Sequence, residues 1–306
     1  PFPSHFASVS RVLKLRSSAT HIANSGHHQK IVRCQAIRYT MDECRLCGET
    51  RELQNSHIIP RFVIRWMKKS GPTPFLRKAV DPNTRIQDHH EKLLCEDCEQ
   101  IFSDWEGKFA SQVFYPHIRG EKEKFEYEEW LYKFVLSVSW RLLVSEMAVW
   151  HEEEHPQNTV VEERLETWEA ILLGEKSISE DSSQHHIFFA DEIDLVKSDP
   201  EAPKGFEVYI QRNLDGTSVY GDNQIHAYFK FPRILFFSTI VPQDPGGFTG
   251  TRSDGEGIIE QPQELGELWG SFLYGRAEIF GQVSMSESER EKVQDRILED
   301  PERFFE

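Results

Sequence analysis

The 306-residue sequence predicts an α+β fold, with different secondary structure in its N-terminal and C-terminal parts. Two Cys-x-x-Cys pairs indicate a small metal-stapled region near the N-terminus. Apolar residues recur at helical spacing over 121–173, and after residue 184 they change to the period-two pattern of strands. The expected order is a leader over 1–40, a metal-binding domain over 41–115, a helical connector over 116–175 and a C-terminal domain of mostly antiparallel strands with helices over 176–306.

Composition narrows the class of protein. The net charge of −16 argues against a surface coated with nucleic acid, because phosphate contacts require Lys and Arg. No run of about 18 apolar residues occurs, so we expect no membrane span. Five cysteines, four of them in pairs, fit a metal site and a reducing compartment better than a disulfide framework. We therefore expect an intracellular protein, in the cytoplasm or nucleus, with Cys34 outside the paired arrangement.

The leader differs from the rest of the chain. Residues 1–40 contain six Lys or Arg, six Ser and four His but no Asp or Glu, and the first methionine is Met41. A basic, Ser-rich leader without acids is typical of an organellar transit peptide. Upstream sequence translated ahead of a start at Met41 would have the same composition. Disorder is expected under either interpretation.

The metal-binding domain is expected to contain short elements. β-branched and aromatic side chains predict a strand over 57–59, and a short helix follows over 62–69. Three prolines over 71–89 indicate a loop or loose hairpin, with a turn over 81–83. A further helix is expected to open at the second Cys-x-x-Cys pair, because the apolar residues after it recur at helical spacing. These residues are Ile101, Phe102, Trp105, Phe109 and Val113.

The connector and the end of the chain are predicted to be helical. Residues 121–173 are expected to be helical throughout, in two segments that break near residue 155, with acidic side chains on solvated faces. The last helix is expected over 286–299. Its N-cap residue would be Ser286, with Glu289 reaching back to it in a capping box.

The C-terminal domain is predicted to be rich in strands. Residues 215–216 are expected to form a hairpin turn and 242–257 a loop rich in Gly and Pro. The domain carries no motif of recognisable chemistry, so His185, His186 and His226 are interpreted as incidental. Its expected role is protein-partner binding, substrate selection or oligomerisation. Strands are predicted over 187–189, 206–210, 218–220, 225–231 and 234–241.

The four paired cysteines point to zinc. Thiolate is a soft ligand that suits Zn²⁺, and a closed set of four thiolates leaves no open position for a substrate. The predicted role is therefore structural, because the ion would hold together a small domain with little core of its own. The predicted ligands are Cys44, Cys47, Cys95 and Cys98.

Three motifs follow one another along the chain: the Cys-x-x-Cys of residues 44–47, the His-Ile-Ile-Pro of residues 57–60 and the Leu-Leu-Cys-x-x-Cys of residues 93–98. In this order they resemble the zinc-containing HNH endonucleases, the treble-clef branch of the His-Me finger nucleases. The resemblance covers residues 44–109. It implies a treble-clef ββα-metal unit framed by structural zinc, a catalytic divalent ion such as Mg²⁺, and cleavage of nucleic-acid phosphodiesters, in DNA more than in RNA.

The resemblance assigns a role to three side chains. His57 falls on the family's general base, which suits an imidazole because it can accept a proton near neutral pH. His90 falls on the central residue that orients the base. Glu99 falls on a ligand of the catalytic metal, and a carboxylate suits a hard cation such as Mg²⁺.

The sequence departs from the family pattern at Glu99, where the family has a His or Asn, and at two further positions. Ser56 stands where the family has an aspartate that binds the catalytic metal, and Phe102 stands where a lysine is common. Asp88 and His89 are placed in the chain to compensate, beside His90. The departures leave a second interpretation open, in which an inactive zinc module binds protein or nucleic acid as an adaptor.

A basic segment within this acidic protein lies between the two cysteine pairs. Residues 51–87 contain eight Lys or Arg and two acidic residues, a local charge of +6. Clustered positive charge beside a nuclease site would hold a phosphodiester backbone. The predicted nucleic-acid-binding residues are Arg61, Arg65, Lys68 and Lys69. Ordinary surface charge in a loop is the alternative.

Overall fold

The computed structural model describes residues 43–78, 81–86, 90–152, 158–190, 202–221, 224–241, 246–260, 262–299 and 301. Its mixed architecture of helices and small antiparallel sheets confirms the predicted α+β class. The leader with Cys34, the pair Asp88 and His89, and the expected helix break near residue 155 lie outside the described residues. None of the helices in the described part is long and apolar enough to cross a membrane.

The first region is built on a two-stranded antiparallel sheet, β1 with β4. Between these strands the chain forms a short helix and a hairpin, and a longer helix opens directly after β4, as predicted. In chain order the elements are β1 (Leu53–His57), α1 (Arg61–Lys69), β2 (Leu76–Lys78), β3 (Asp81–Ile86), β4 (His90–Cys95) and α2 (Glu96–Phe109).

Two local predictions in this region are wrong. The strand predicted over 57–59 ends at His57, because Pro60 cannot donate to a strand ladder and leads the chain into α1. The segment 81–83, expected as a turn, begins β3. Pro82 is tolerated there because β3 pairs with only one strand. A proline, which has no backbone N–H, fits a strand with an unpaired edge.

A helical layer follows. Residues 121–173 are not helical throughout, because they include strand β5 (Phe125–Tyr127), which pairs with β11 (Gly257–Ile259). Burial in β5 alternates with period two, which is typical of a strand with one buried face. The elements are a π-helical turn (Ala110–Phe114), α3 (Tyr115–Ile118), β5 (Phe125–Tyr127), α4 (Glu129–Glu152), α5 (Asn158–Leu172) and a 3₁₀ turn (Ile178–Glu180).

The C-terminal part contains a four-stranded sheet that is antiparallel throughout. Four of the five predicted strands are confirmed, with ends extended by a few residues. Across the sheet the order is β6 (Gln184–Phe189), β9 (Ile234–Val241), β8 (Gln224–Phe231) and β7 (Asp215–Gly221).

The fifth predicted strand is a helix. Residues 206–210 belong to α6 (Phe206–Arg212), whose buried side chains Phe206, Tyr209 and Ile210 follow helical spacing. The predicted hairpin turn at 215–216 is also wrong, because these residues begin β7. Tertiary contacts override the local turn signal there, since buried Asp215 accepts hydrogen bonds from Tyr209 and Arg276.

The end of the chain holds one helix that was not predicted and one that was. Helix α7 lies in a segment for which no element was predicted, and α8 confirms the helix predicted over 286–299. The Ser286 N–H, expected to bind Glu289 in a capping box, donates instead to Asn83 Oδ1 at 2.8 Å. The elements are β10 (Phe248–Thr249), β12 (Glu264–Leu265), α7 (Glu267–Gly281) and α8 (Glu287–Glu299).

Two apolar clusters cover the two faces of the four-stranded sheet. The larger one runs without interruption from the paired cysteines through α2 and α4 to one sheet face. At its centre Phe109 stacks on Phe134 with ring centroids 4.0 Å apart, and it also contacts Phe236 of β9. The other face packs against α6 and α7, with Tyr228, Phe237 and Trp269 at the contact. Packing within the larger cluster thus continues across the predicted domain boundaries, where the sequence pattern changes.

A buried ionic network joins the helical layer to the sheet. His185 of β6 contacts Ser238 Oγ through Nδ1 at 2.7 Å and Asp181 Oδ2 through Nε2 at 3.1 Å. Asp181 also receives hydrogen bonds from Tyr132 of α4 and Arg164 of α5. Burial opposes ionisation of Asp181, but the hydrogen bond and charge of His185 outweigh burial and hold the pKa of this carboxyl well below its usual value. His185, interpreted from the sequence as incidental, is therefore structural.

Replacing Asp181 by Asn is expected to lower the free energy of unfolding by about 3 kcal/mol, because Arg164 and His185 lose a buried counter-charge. Because the folded state lowers the pKa of Asp181, its ionisation stabilises the fold above pH about 4, and this contribution is lost as the pH falls further. Urea unfolding of both proteins near neutral pH and below pH about 4 should therefore show a difference that shrinks with acidity. Glu163→Gln, at an exposed position of α5, is the control and should leave stability unchanged. Equal stability of Asp181→Asn and the parent near neutral pH would contradict the assignment.

Candidate metal centre and active site

The four paired cysteines meet between a turn and the junction of β4 with α2. Gly48 closes the first turn at φ 68°, a left-handed conformation that glycine adopts without strain, and its N–H donates to the Cys44 carbonyl at 2.8 Å. Cys95 ends β4 and Cys98 lies in the first turn of α2. The sulfur atoms of the four cysteines all lie within 4.8 Å of one another.

The spacing of the sulfur atoms fits a tetrahedral metal site. Zn–S bonds of about 2.3 Å place the sulfurs of a tetrahedral site roughly 3.8 Å apart, and the Cys47 and Cys95 sulfurs lie 3.9 Å apart. The cluster could therefore hold zinc, in a closed site with no position for substrate. Within the described ranges it is the one group of three or more His, Cys, Asp or Glu side chains close enough to share an ion.

Contacts within the cluster favour thiolate at Cys44. Hydrogen bonds from the Cys98 side chain and from backbone N–H groups, among them that of Cys95 at 3.3 Å, lower the pKa of Cys44 to about 4. The same contact, together with burial, raises the pKa of Cys98, and burial raises the pKa of Cys47. Because a bound divalent ion requires thiolate ligands, its binding would release the protons that Cys47 and Cys98 retain.

The strand pair brings two of the predicted catalytic residues together. His57, the last residue of β1, and His90, the first residue of β4, are Cα partners, and their ring centroids lie 6.0 Å apart. His57 is half-buried, whereas His90 is exposed. The carbonyl of His57 accepts a hydrogen bond from Arg141 Nη1 at 2.8 Å, which fixes the end of β1 against α4.

Ser56 and Phe102, two departures from the family pattern, are core positions in this structure. Ser56 is fully buried and its Oγ accepts the Leu94 N–H at 3.0 Å, within the strand pair. Since successive side chains of a strand point to opposite faces, Ser56 lies on the face away from His57. Phe102 is buried too, and its ring contacts Trp140 of α4 edge to face. Both side chains therefore pack the core.

Glu99 lies in the first turn of α2, beside Cys98, and is half-buried. Together with His57 and His90 it does not form a three-ligand group of the kind that the cysteines form in the described part of the chain. Mg²⁺ commonly takes one or two protein carboxylates and completes its shell with water and substrate phosphate. The role of Glu99 as a ligand of the catalytic ion therefore stays a prediction.

Arg141 is a site residue that sequence reasoning missed. It is 3% exposed, its Nη1 lies 2.7 Å from Glu106 Oε1, and its guanidinium covers the Phe102 ring. A buried arginine needs a counter-charge and acceptors, which Glu106 and the His57 carbonyl supply. The signal in the sequence was a charged residue inside the apolar run 134–144 of α4.

Helix α1 presents the four predicted nucleic-acid-binding residues on its outer side. Arg61, Arg65 and Lys69 are exposed and Lys68 is half-buried, whereas positions 62–64 are buried. Arg65 lies four residues from both Arg61 and Lys69 and three from Lys68, and such spacings place these cations along one helix face. The helix begins at Arg61, four residues after His57, so the Cα atoms of these two residues lie within about 14 Å of each other.

The remaining arginines of the basic segment form ion pairs within the chain. Arg51 pairs with Asp97 of α2. Arg77 and Arg85 of the β2–β3 hairpin both pair with Glu289 of α8, at 2.7 and 3.0 Å. The two hairpin arginines thus share one carboxylate of α8, whereas the four predicted nucleic-acid-binding residues lie on α1.

No family model matches the chain, and no curated protein or solved structure matches it either. The resemblance to HNH nucleases therefore rests on the order of the three motifs. The cysteine cluster agrees with a zinc module at that point in the chain.

Protein purified without chelators is expected to contain about one equivalent of zinc, because four thiolates bind Zn²⁺ tightly near neutral pH. Cys98→Ser should lose most of the metal, whereas Cys34→Ser, which changes the fifth cysteine, should keep it. Elemental analysis checks both variants. Chelation should raise hydrogen exchange first over residues 43–57 and 90–102, while strands β6 to β9 remain protected. Less than about half an equivalent of zinc in the parent would contradict the site.

Proposed function

We propose that this chain is a metal-dependent nuclease that hydrolyses phosphodiester bonds in nucleic acid, in DNA more than in RNA. The observation that carries the proposal is the pairing of His57 with His90 across β1 and β4. The cysteine cluster lies at the other end of β4, and α1 follows β1 after a short connection. Histidine near a phosphate-binding surface can act as general base for an attacking water.

Each element has a part in the proposed reaction. His57 accepts the proton of the attacking water, and the Arg141 hydrogen bond to its carbonyl keeps the base in place. His90 orients the base from the facing strand. Arg61 and Arg65 hold the sugar–phosphate backbone. Zinc at the cysteines would be structural, and Mg²⁺ bound near Glu99 would supply charge neutralisation at the scissile phosphate.

A second candidate function is an inactive zinc module that binds nucleic acid or protein as an adaptor. The burial of Ser56 and Phe102 favours it, because these positions supply no metal ligand and no cation to a reacting phosphate. The basic face of α1 would serve binding in either case. Cleavage is therefore the property that separates the two candidates.

His57→Ala is expected to lower the cleavage rate by roughly 100-fold or more, because a positioned general base contributes about that factor. Nicking of supercoiled DNA and cleavage of RNA, with added Mg²⁺ or Mn²⁺, measure the rate. Asn55→Ala, an exposed position on the same strand, controls for disturbance of β1 and should cut like the parent. The nuclease proposal fails if the parent cuts neither substrate, or if His57→Ala cuts as fast as the parent.

Arg65→Gln is expected to weaken DNA binding and to reduce the slope of log K against log salt by about one, since one phosphate contact is lost. Fluorescence anisotropy over a range of salt concentrations measures both quantities. Lys122→Gln removes the same charge from an exposed position outside α1 and should change the slope less. Equal slopes for both variants would show that the α1 face makes no specific backbone contact.

A further inference from the structure

The β2–β3 hairpin concentrates positive charge at one aromatic ring. Arg77 and Arg85 are Cα partners on the two strands, an arrangement in which like charges repel. Their guanidinium carbons lie 5.2 and 4.4 Å from the centroid of the Phe75 ring. Two cations held this closely favour an anion between them.

A carboxylate from the far end of the chain supplies that anion. Glu289 of α8 accepts hydrogen bonds from Arg77 Nη2 at 2.7 Å and from Arg85 Nη2 at 3.0 and 3.1 Å. Hydrogen bonds from Lys292 and from the two arginines lower the pKa of Glu289 to about 2, so it is ionised at neutral pH. Arginine pairs bind phosphate oxygens in the same way that they bind a carboxylate.

Helix α8 is attached to the hairpin through polar contacts. None of the described residues of α8 is buried, and the Ser286 N–H just before the helix donates to Asn83. The side chains of Arg77 and Glu289 are only 13% and 14% exposed, whereas that of Arg85 is 49% exposed. Segments without buried apolar contacts open at low free-energy cost. A competing anion can therefore displace Glu289 without unfolding the core.

Between the hairpin and α8 lies a cleft of about 360 Å³. Its lining includes four cationic side chains, Arg77 and Arg85 of the hairpin and Lys292 and Arg296 of α8, together with the acidic side chains Asp295 and Glu299.

We propose that this cleft binds the sugar–phosphate backbone of a nucleic acid, with a phosphate taking the place of the Glu289 carboxylate between Arg77 and Arg85. The choice of ligand rests on the proposed nuclease function, since the hairpin lies in the chain between α1 and His90. Glu289 then competes with the substrate for the hairpin and limits access to it.

Glu289→Gln tests the proposal in the full chain, because it removes the competing charge and leaves the arginines in place. Binding of a short fluorescent single-stranded DNA is measured by anisotropy without added Mg²⁺, from low to near-physiological salt. The variant should bind several-fold more tightly at low salt, with a salt slope steeper by about 0.7 for one added phosphate contact. Adding Arg85→Gln to this variant should abolish the gain.

Glu291→Gln is the matched control, because it removes one exposed carboxylate from the same helix without touching the hairpin. The proposal is overturned if both Gln variants tighten binding equally, or if Glu289→Gln has no effect. It is also overturned if calorimetry shows that Glu289→Gln gains affinity for inorganic phosphate but not for DNA. Tighter DNA binding by Glu289→Gln in a protein that never cuts would refute the nuclease proposal alone, whereas His57-dependent cutting without a Glu289 effect would refute the cleft alone.

Discussion

The meeting of four cysteine sulfurs is the constraint on which the N-terminal region depends. To lie within 4.8 Å of one another, they require the turn after residue 43 to contact the junction of β4 with α2. A backbone hydrogen bond of 2.9 Å from Arg45 to Leu93 makes the same connection. Because β4 pairs with β1 in a fixed register, the position of the cluster also sets the position of His57 opposite His90. A structural ion could therefore control the proposed active site without contacting substrate.

The cysteine cluster could be predicted because its signal is local and chemical. Two Cys-x-x-Cys pairs need only a turn each to point both sulfurs one way, and their soft donors select the metal. The hydrogen bond from Arg141 to the His57 carbonyl could not be predicted, since the two residues lie 84 positions apart in the chain. The same holds for Ser56 and Phe102, which the family pattern would place at a reaction centre. Phe102 packs on Trp140 of α4 and Ser56 accepts the Leu94 N–H of β4, and sequence motifs do not describe these contacts.

For the fold, the sequence was most informative where one physical term dominates. Strands β8 and β9 are buried on both faces, so continuous apolar runs identified them. Helix α6 was missed because its β-branched and aromatic residues favour strands locally, whereas packing on α7 favours a helix. Helix α7 itself contains three glycines, which lower helix propensity. Packing of Trp269 and Leu273 against the sheet outweighs that cost.

Electrostatics connects the acidic composition with a nucleic-acid ligand. At physiological salt the screening length is about 8 Å, so a phosphate in contact with α1 responds to the cations beside it more than to the net charge of −16. The acidic remainder disfavours binding elsewhere on the surface. Glu289 would apply the same principle over a shorter distance, because its single charge offsets part of the charge of the two hairpin arginines. The excess of acidic residues would thus restrict the proposed nucleic-acid ligand to the places where cations cluster.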